Sequence, residues 1–336
     1  MLKNLILILT FPLLLGCNFN KKEKLETDSF PILTGKYMGQ KQPGLKSEIF
    51  APNIISTGMA EINSVFTSNY SEFYYSIRMP NRQLVIMVMK YDGEQWSEPK
   101  VASFSGEYSD ADPFISYDGK WLYYISKRPI DSTQTAKEDW DIWRCFKNGD
   151  KWSNPERLGS EINNELDQTY PCLTLNGKLY FSSEIIKNKK DIFYAENLGK
   201  DFKTPVRLSE TINSHWEGDI FISPKEEYMI FRSFGRKTGS GLYITFNENG
   251  QWTLPKRMSE DINKTGREFC PIVSPDGLYF FFTSNRSVNT NNTHEKLTYQ
   301  SIKDDFIQSY NHPQKGKTDI YWVDAKIIEH YRNTKQ

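Results

Sequence analysis

Ten positions, two from each of five similar segments, carry the residue types best suited to chemistry in this 336-residue chain. Six residues ahead of Thr67, Ser116, Thr174, Ser223 and Ser274 stand Glu61, Asp110, Gln168, Glu217 and Glu268. Two residues further on stand Asn63, Asp112, Tyr170, Asp219 and Cys270. Six of the ten are carboxylates: Glu61, Asp110, Asp112, Glu217, Asp219 and Glu268. Read as one face of a strand in each segment, they are expected around a common axis, where like charges repel unless something compensates. One compensation is a divalent cation such as Ca2+, because oxygen ligands dominate and His215, His294, His312 and His330 are scattered. A second use would be acid–base work by a carboxylate pair on a glycosidic bond. The third reading is structural: each acid bonds backbone N–H groups or a neighbouring Arg or Lys and fixes register. Recurrence in copy after copy favours the structural reading, since catalysis needs asymmetry. Cation binding comes next, no catalytic residue is assigned, and no cofactor is expected beyond such a cation.

The elements that position these residues are read from the repeat. The aligned Ser/Thr residues are spaced by 49, 58, 49 and 51 residues. Each is followed by a turn and a densely apolar stretch, as in "SPDGLYFFFTSNR" from Ser274. Asp118-Gly119, Asn176-Gly177 and Asp276-Gly277 are hairpin signals, because these residues tolerate positive φ. A second strand-like element follows in "DWDIWRCF", "KDIFYAEN", "SGLYITFN" and "TDIYWVDA", with "QLVIMVMKY" a weaker copy. A third carries Trp96, Trp152, Phe202 or Trp252 three residues before Pro99, Pro155, Pro205 or Pro255. Proline suits an edge, so this element is expected outermost. Asp141, Asp191 and Asp319, which open the second element, are read as turn caps, and Asn163, Asn213 and Asn263 as structural. Short strands repeating at this period predict propeller blades.

Five blades fit, and the fifth lacks its outer element. "GLKSEIFAPNIIST" (44–57) is expected to supply it, joining the two ends of the chain and removing open sheet edges. Polar insertions at 129–138 and 287–317 fall between the second and third strands and are expected on one rim.

Composition bounds the rest. Lys+Arg and Asp+Glu both total 42, which gives no basic excess for nucleic acid. Aromatic residues make up 14%, as suits half-buried strands. There is no Gly-rich phosphate loop and no G-x-S-x-G elbow. Cys145, Cys172 and Cys270 fall in different repeats and read as small buried hydrophobes. The start of the chain, "MLKNLILILTFPLLLGC", fits a secretory signal and is too short for a transmembrane span.

Two resemblances follow from these motifs. Leu14-Leu15-Gly16-Cys17 resembles the lipobox of bacterial lipoproteins, which implies cleavage before Cys17 and acylation of its thiol. The "SPDG…YF.S.R…DIY" pattern over residues 35–328 resembles the WD40-like PD40 repeats of TolB-type propellers and related bacterial lipoproteins. That resemblance implies an all-β propeller; with the five copies counted above and residues 44–57 at the seam, the expected fold is a five-bladed propeller closed by an N-terminal strand, one blade fewer than TolB. The implied domains are a signal peptide (1–16), a lipidated Cys17 with a polar tether (17–34), the propeller (35–328) and a polar tail (329–336). The expected role is a lipid-anchored cell-envelope module or scaffold, facing periplasm or cell surface, that binds a protein or glycan. The alternative is a glycan-active hydrolase or lyase using carboxylates at the channel mouth.

Overall fold

The computed structural model describes residues 30–131, 135–287, 298–301, 303, 312–315 and 317–333. Cys17 and the apolar run before it lie outside the described residues, as does much of the insertion at 287–317. The chain divides into two units, Met1–Pro31 and Ile32–Gln336. The strands of the second unit form five antiparallel sheets arranged as the blades of a propeller.

From inner to outer strand, blade 1 is Ala60–Phe66, Glu72–Arg78, Leu84–Lys90 and Lys100–Val101. Blade 2 is Asp110–Ile115, Trp121–Ser126, Asp141–Asn148 and Glu156–Arg157. Blade 3 is Gln168–Leu173, Leu179–Ile186, Lys189–Ala195 and Val206–Arg207. Blade 4 is Trp216–Ile222, Tyr228–Phe234, Gly241–Glu248 and Lys256–Arg257. Blade 5 is Phe269–Val273, Tyr279–Ser284, Asp319–Asp324 and Glu48–Ile49. Each inner strand neighbours the next, and the inner strand of blade 5 meets that of blade 1.

The recurring Ser/Thr is explained by the turn it opens. The hydroxyl accepts the first N–H of the second strand: Glu72 N to Thr67 (2.9 Å), Trp121 N to Ser116 (2.9 Å), Tyr228 N to Ser223 (3.0 Å) and Tyr279 N to Ser274 (3.0 Å). Each of these four turns needs one left-handed residue: Tyr70, Gly119, Glu226 or Gly277. Only glycine takes that conformation without steric cost. The aromatic second strand of blade 5, Tyr279–Ser284, is buried throughout, since both its faces meet protein.

Asn163, Asn213 and Asn263 act as lateral clamps. Each accepts a backbone N–H of the third strand and donates to two carbonyls. Asn213, for example, accepts Ile192 N (2.8 Å) and donates to Ile192 O (2.9 Å) and Leu208 O (3.0 Å). Asp141 and Asp191, expected to cap turns, instead hold the outer strand through Arg157 (2.8 Å) and Arg207 (2.5 Å). The Trp-x-x-Pro element also differs from expectation. Trp152 and Trp252 sit in a short hairpin ribbon on the third strand, and the residues after the proline form the outer strand. The proline separates the two because it has no N–H to pair.

The N-terminal strand closes the ring. Glu48 and Ile49 pair antiparallel with Trp322 and Tyr321, and Phe50 N donates to Ile320 O (2.8 Å). At the other end, the helix Ile327–Asn333 follows blade 5 and buries Ile327 and Ile328. It packs on blade 4, with Lys256 Nζ donating to Tyr331 O (2.8 Å) and Arg332 over Phe246 (4.5 Å).

Candidate functional site

The two residues of interest in each inner strand do not share a face, and the reason is a bulge. In all five inner strands the register slips at Asn63, Asp112, Tyr170, Asp219 or Cys270, between the residue before it and the second residue after it. These five residues have positive φ, between 48° and 57°. A bulge leaves one residue out of the ladder and turns its side chain out of the alternation. The channel therefore meets Asn63, Asp112, Tyr170 and Cys270, with Asp219 at the head of the same ring. The following residue is Pro113, Pro171 or Pro271 in three blades, a residue with no N–H to leave unpaired at the bulge.

The other four acids lie between blades. Asp110 accepts from Ser126 Oγ (2.6 Å) and Ser105 Oγ (2.8 Å), with Arg128 at 3.6 Å. Glu217 accepts from Ser233 Oγ (3.0 Å) and Arg236 (2.9 Å). Glu268 accepts from Ser284 Oγ (2.8 Å) and Thr265 N (3.0 Å), with Arg286 at 4.0 Å. The three arginines also donate to carbonyls of the preceding connection: Phe104, Ile212, and Asp261 with Ile262. This arrangement ties each blade to its predecessor. Blade 3 keeps the position without charge, as Gln168 facing Ser183 (3.3 Å).

Glu61 breaks this pattern. Its cross-strand partner is Ile77 where blades 2 to 4 have serine, and its carboxyl accepts from Thr57 Oγ1 (2.5 Å). Burial pushes its carboxyl up to about 8, with the charge of Asp319 adding to the shift. Asp319 is the blade 5 counterpart of Asp141. Among the described residues it has no outer-strand arginine, and burial pushes it up to about 7.

Of the six carboxylates expected around one axis, Asp112 and Asp219 are brought together and the other four are set between blades. Among the described residues no group of three or more His, Cys, Asp and Glu side chains is arranged to hold a metal. Asp112 and Asp219 lie at the floor of a funnel of about 600 Å3 that opens at the N-terminal ends of the inner strands. Its walls carry Trp140, Tyr170, Trp216 and Phe269, and its cations are Arg78, Arg82, Lys127 and Arg232. Beneath it the channel narrows to about 30 Å3. Tyr170 Oη and Cys270 Sγ are 3.1 Å apart there, and the Cys270 thiol is pushed far up by burial.

The two floor carboxylates have different surroundings. Burial pushes Asp112 up to about 7, helped by the charge of Asp219, while Asn63 and Lys190 pull the other way. Asp219 is also raised by burial, but Arg232, 3.4 Å away, opposes the shift, as does Lys190. Sequence reasoning singled out Tyr170 but missed Trp140, Trp216, Phe269 and the funnel's arginines. Trp140 and Trp216 stand just before the third strand of blade 2 and at the start of the inner strand of blade 4, positions that vary between repeats.

The class of protein this topology defines is a five-bladed β-propeller closed by its N-terminal strand. No protein-family model matches the chain, and no curated protein matches it in sequence. Solved structures match it in fold. TolB from Acinetobacter baumannii is 15% identical over 67% of this chain and 50% of its own, with a TM-score of 0.46. An α-L-arabinofuranosidase from Lactobacillus brevis is 14% identical over 80% of this chain and 91% of its own, with a TM-score of 0.46. A family 117 glycoside hydrolase of the marine bacterium Zobellia galactanivorans is 13% identical over 84% and 88%, with a TM-score of 0.45. The chain spans half the length of the Acinetobacter protein, and at these identities the likeness is one of fold.

Proposed function

We propose that the protein is a glycan-binding module of the cell envelope, with the funnel over Asp112 and Asp219 as its binding site. One observation carries the reading: a concave site of about 600 Å3 whose walls are aromatic and whose floor is polar. That volume is in the range of small-ligand sites, roughly 300–1,000 Å3, rather than the broad surface a protein partner needs. Sugar rings present apolar C–H faces and hydroxyl edges. Trp140, Trp216 and Phe269 suit the first; Asp112, Asp219 and Arg232 suit the second. Calorimetric titration against a panel of oligosaccharides tests this. A Trp140→Ala, Trp216→Ala variant should bind the best saccharide at least tenfold more weakly. Absence of saccharide binding at millimolar concentration, or capture of a protein partner that covers the funnel, would sink the glycan reading.

A second reading is glycan hydrolysis, and Asp112 with Asp219 is what favours it. Two neighbouring carboxylates in unlike environments are the pattern of an acid–base pair, Asp112 holding a proton near neutral pH while Arg232 favours the anion of Asp219. An Asp112→Asn variant distinguishes the two. A binding module yields no product in either form, whereas a hydrolase cleaves as the wild type and stops cleaving as the variant.

The anchor belongs to the same proposal. A short apolar run ending in Leu-Leu-Gly-Cys supports export, cleavage before Cys17 and lipid attachment there. Cys17→Ala should move the protein out of the membrane fraction or leave it uncleaved. Normal membrane association of a cleaved Cys17→Ala protein would refute the anchor.

A further inference from the structure

We infer that the saccharide taken by this funnel is anionic, a sugar bearing carboxylate or sulfate groups, held by Arg78 and Arg82. This rests on the glycan reading and names its ligand class. Blade 1 departs from its neighbours in the placement of one arginine. In blades 2 and 5 an arginine stands two residues beyond the serine facing the inter-blade acid, and in blade 4 three beyond: Arg128, Arg286 and Arg236. Each points back between blades and ion-pairs with that acid.

In blade 1 the residue facing Glu61 is Ile77, and the arginine, Arg78, follows it directly. Arg78 is the last residue of its strand and adjacent to Ile77, so it projects from the face opposite the Glu61–Ile77 pair, whereas Arg128, Arg236 and Arg286 lie beyond the ends of their strands. Arg78 accordingly lines the funnel instead of the blade interface, and among the described residues Glu61 has no arginine partner. A residue type that serves as scaffold in blades 2, 4 and 5 is redirected in blade 1 toward the candidate site.

Arg82 reinforces it. It closes the tight turn after Arg78, with Arg82 N donating to Met79 O (2.8 Å) and φ at 69°. The next residue fixes that turn to blade 2, because Gln83 Nε2 donates to Tyr108 O (3.1 Å). Both arginines are exposed, and among the described residues neither has a side-chain hydrogen bond, an ion pair or a ring contact. Of the other two cations, Arg232 is paired with Asp219, and Lys127 stands over Trp140 (5.1 Å) while donating to Glu138 O. Among the described residues the lining holds four cations against two carboxylates, and the unpaired surplus sits at Arg78 and Arg82. A neutral sugar makes no use of that surplus, whereas planar arginine forks match carboxylate and sulfate oxygens two at a time.

The test compares three ligands of similar length: an oligouronate, its carboxyl-reduced neutral counterpart, and a sulfated oligosaccharide. Affinities are measured at low and at high NaCl concentration for the wild type and for an Arg78→Ala, Arg82→Ala variant. Both substitutions are exposed, so the variant should melt at the wild-type temperature. At least one anionic ligand should bind tenfold or more tighter than the neutral one, and weaken with salt. In the variant that preference should vanish while neutral binding is unchanged. The uronate and sulfate arms show which anionic group is preferred. A neutral sugar that binds as tightly as both anionic ones overturns this inference and leaves the glycan reading standing. An anionic preference that survives the double substitution also overturns it. Binding of none of the three, nor of any panel saccharide, removes both readings.

Discussion

Phe50→Ala should destabilise the propeller by about 3–5 kcal/mol, the usual cost of emptying a fully buried aromatic site. Phe50 is 0% exposed, and it stands where the ring is joined. Its ring centroid lies 5.7 Å from Phe73 of blade 1, and 5.2 Å and 5.1 Å from Phe281 and Trp322 of blade 5. The chain passes from blade 5 into the helix Ile327–Asn333 rather than into blade 1, so side chains and strand pairing must make the joint. It is held by the Glu48–Ile49 pairing, Ser56 Oγ against Ile320 (3.1 and 3.2 Å), and Tyr37 Oη reaching Tyr70 (2.9 Å) and Asp276 (2.9 Å). Deleting residues 35–57 removes all of these contacts and exposes the edge of the Asp319–Asp324 strand. Thermal melts should show a lower, broader transition with aggregation for the deletion, and a lower but still sharp one for Phe50→Ala. Phe146→Ala, at a residue 41% exposed, is the control and should change little. A deletion protein that melts at the wild-type temperature would mean that the ring closes by other contacts.

Stability should fall as pH rises from about 5 to about 9, by the linkage between proton binding and folding. Glu61, at about 8, and Asp319 and Asp112, each at about 7, are all raised above ordinary carboxylates by burial. A raised folded-state pKa means that the native protein holds more protons than the unfolded chain between the two values. The stabilisation is complete below about pH 4.5 and is lost as pH climbs through about 7 and 8. At about 1.4 kcal/mol per pKa unit, Glu61 alone accounts for a loss on the order of 3 kcal/mol after allowance for relaxation. Glu72 and Asp276 are shifted the opposite way, down, by hydrogen bonds: Glu72 with Lys147 and Lys90, Asp276 with Ser274 and two tyrosines. Their contribution disappears below the ordinary carboxylate range, so the window above about pH 5 isolates the raised groups. Glu61→Gln keeps a hydrogen-bonding side chain of the same shape and removes the charge. At the alkaline limit its melting temperature should exceed the wild type's, with a flatter profile between the two limits. A wild-type slope retained in the variant would assign the pH dependence elsewhere.

The residues differ in how legible their roles are in the sequence. Thr67, Ser116, Thr174, Ser223 and Ser274 mark the repeat because the turn chemistry is local: a hydroxyl, a left-handed residue and the next N–H lie within a few positions. The ring closure is also legible, since blade 5 lacks an outer strand and residues 44–57 have nowhere else to belong. The facing of Asp110 and Asp112 is not. Period-two alternation puts them on one side, and the bulge between Ala111 and Phe114 separates them. The Asp-Pro, Tyr-Pro and Cys-Pro pairs are the available sign of that bulge. Arg78 is equally hidden, because a one-residue offset has meaning only when the facing residue is known.

The recurrent bulge also sets what can change in this molecule. Side chains on a regular inner strand would be wedged between blades, and altering one would disturb the packing of two sheets. The residues at 63, 112, 170, 219 and 270 are turned toward the channel by their own backbone, and they already differ as Asn, Asp, Tyr, Asp and Cys. The pore lining is thus a set of five sockets on a recurring frame, open to side chains that tolerate a positive φ. Selection, or a protein engineer, can rewrite the chemistry at the centre one residue at a time without renegotiating the architecture around it.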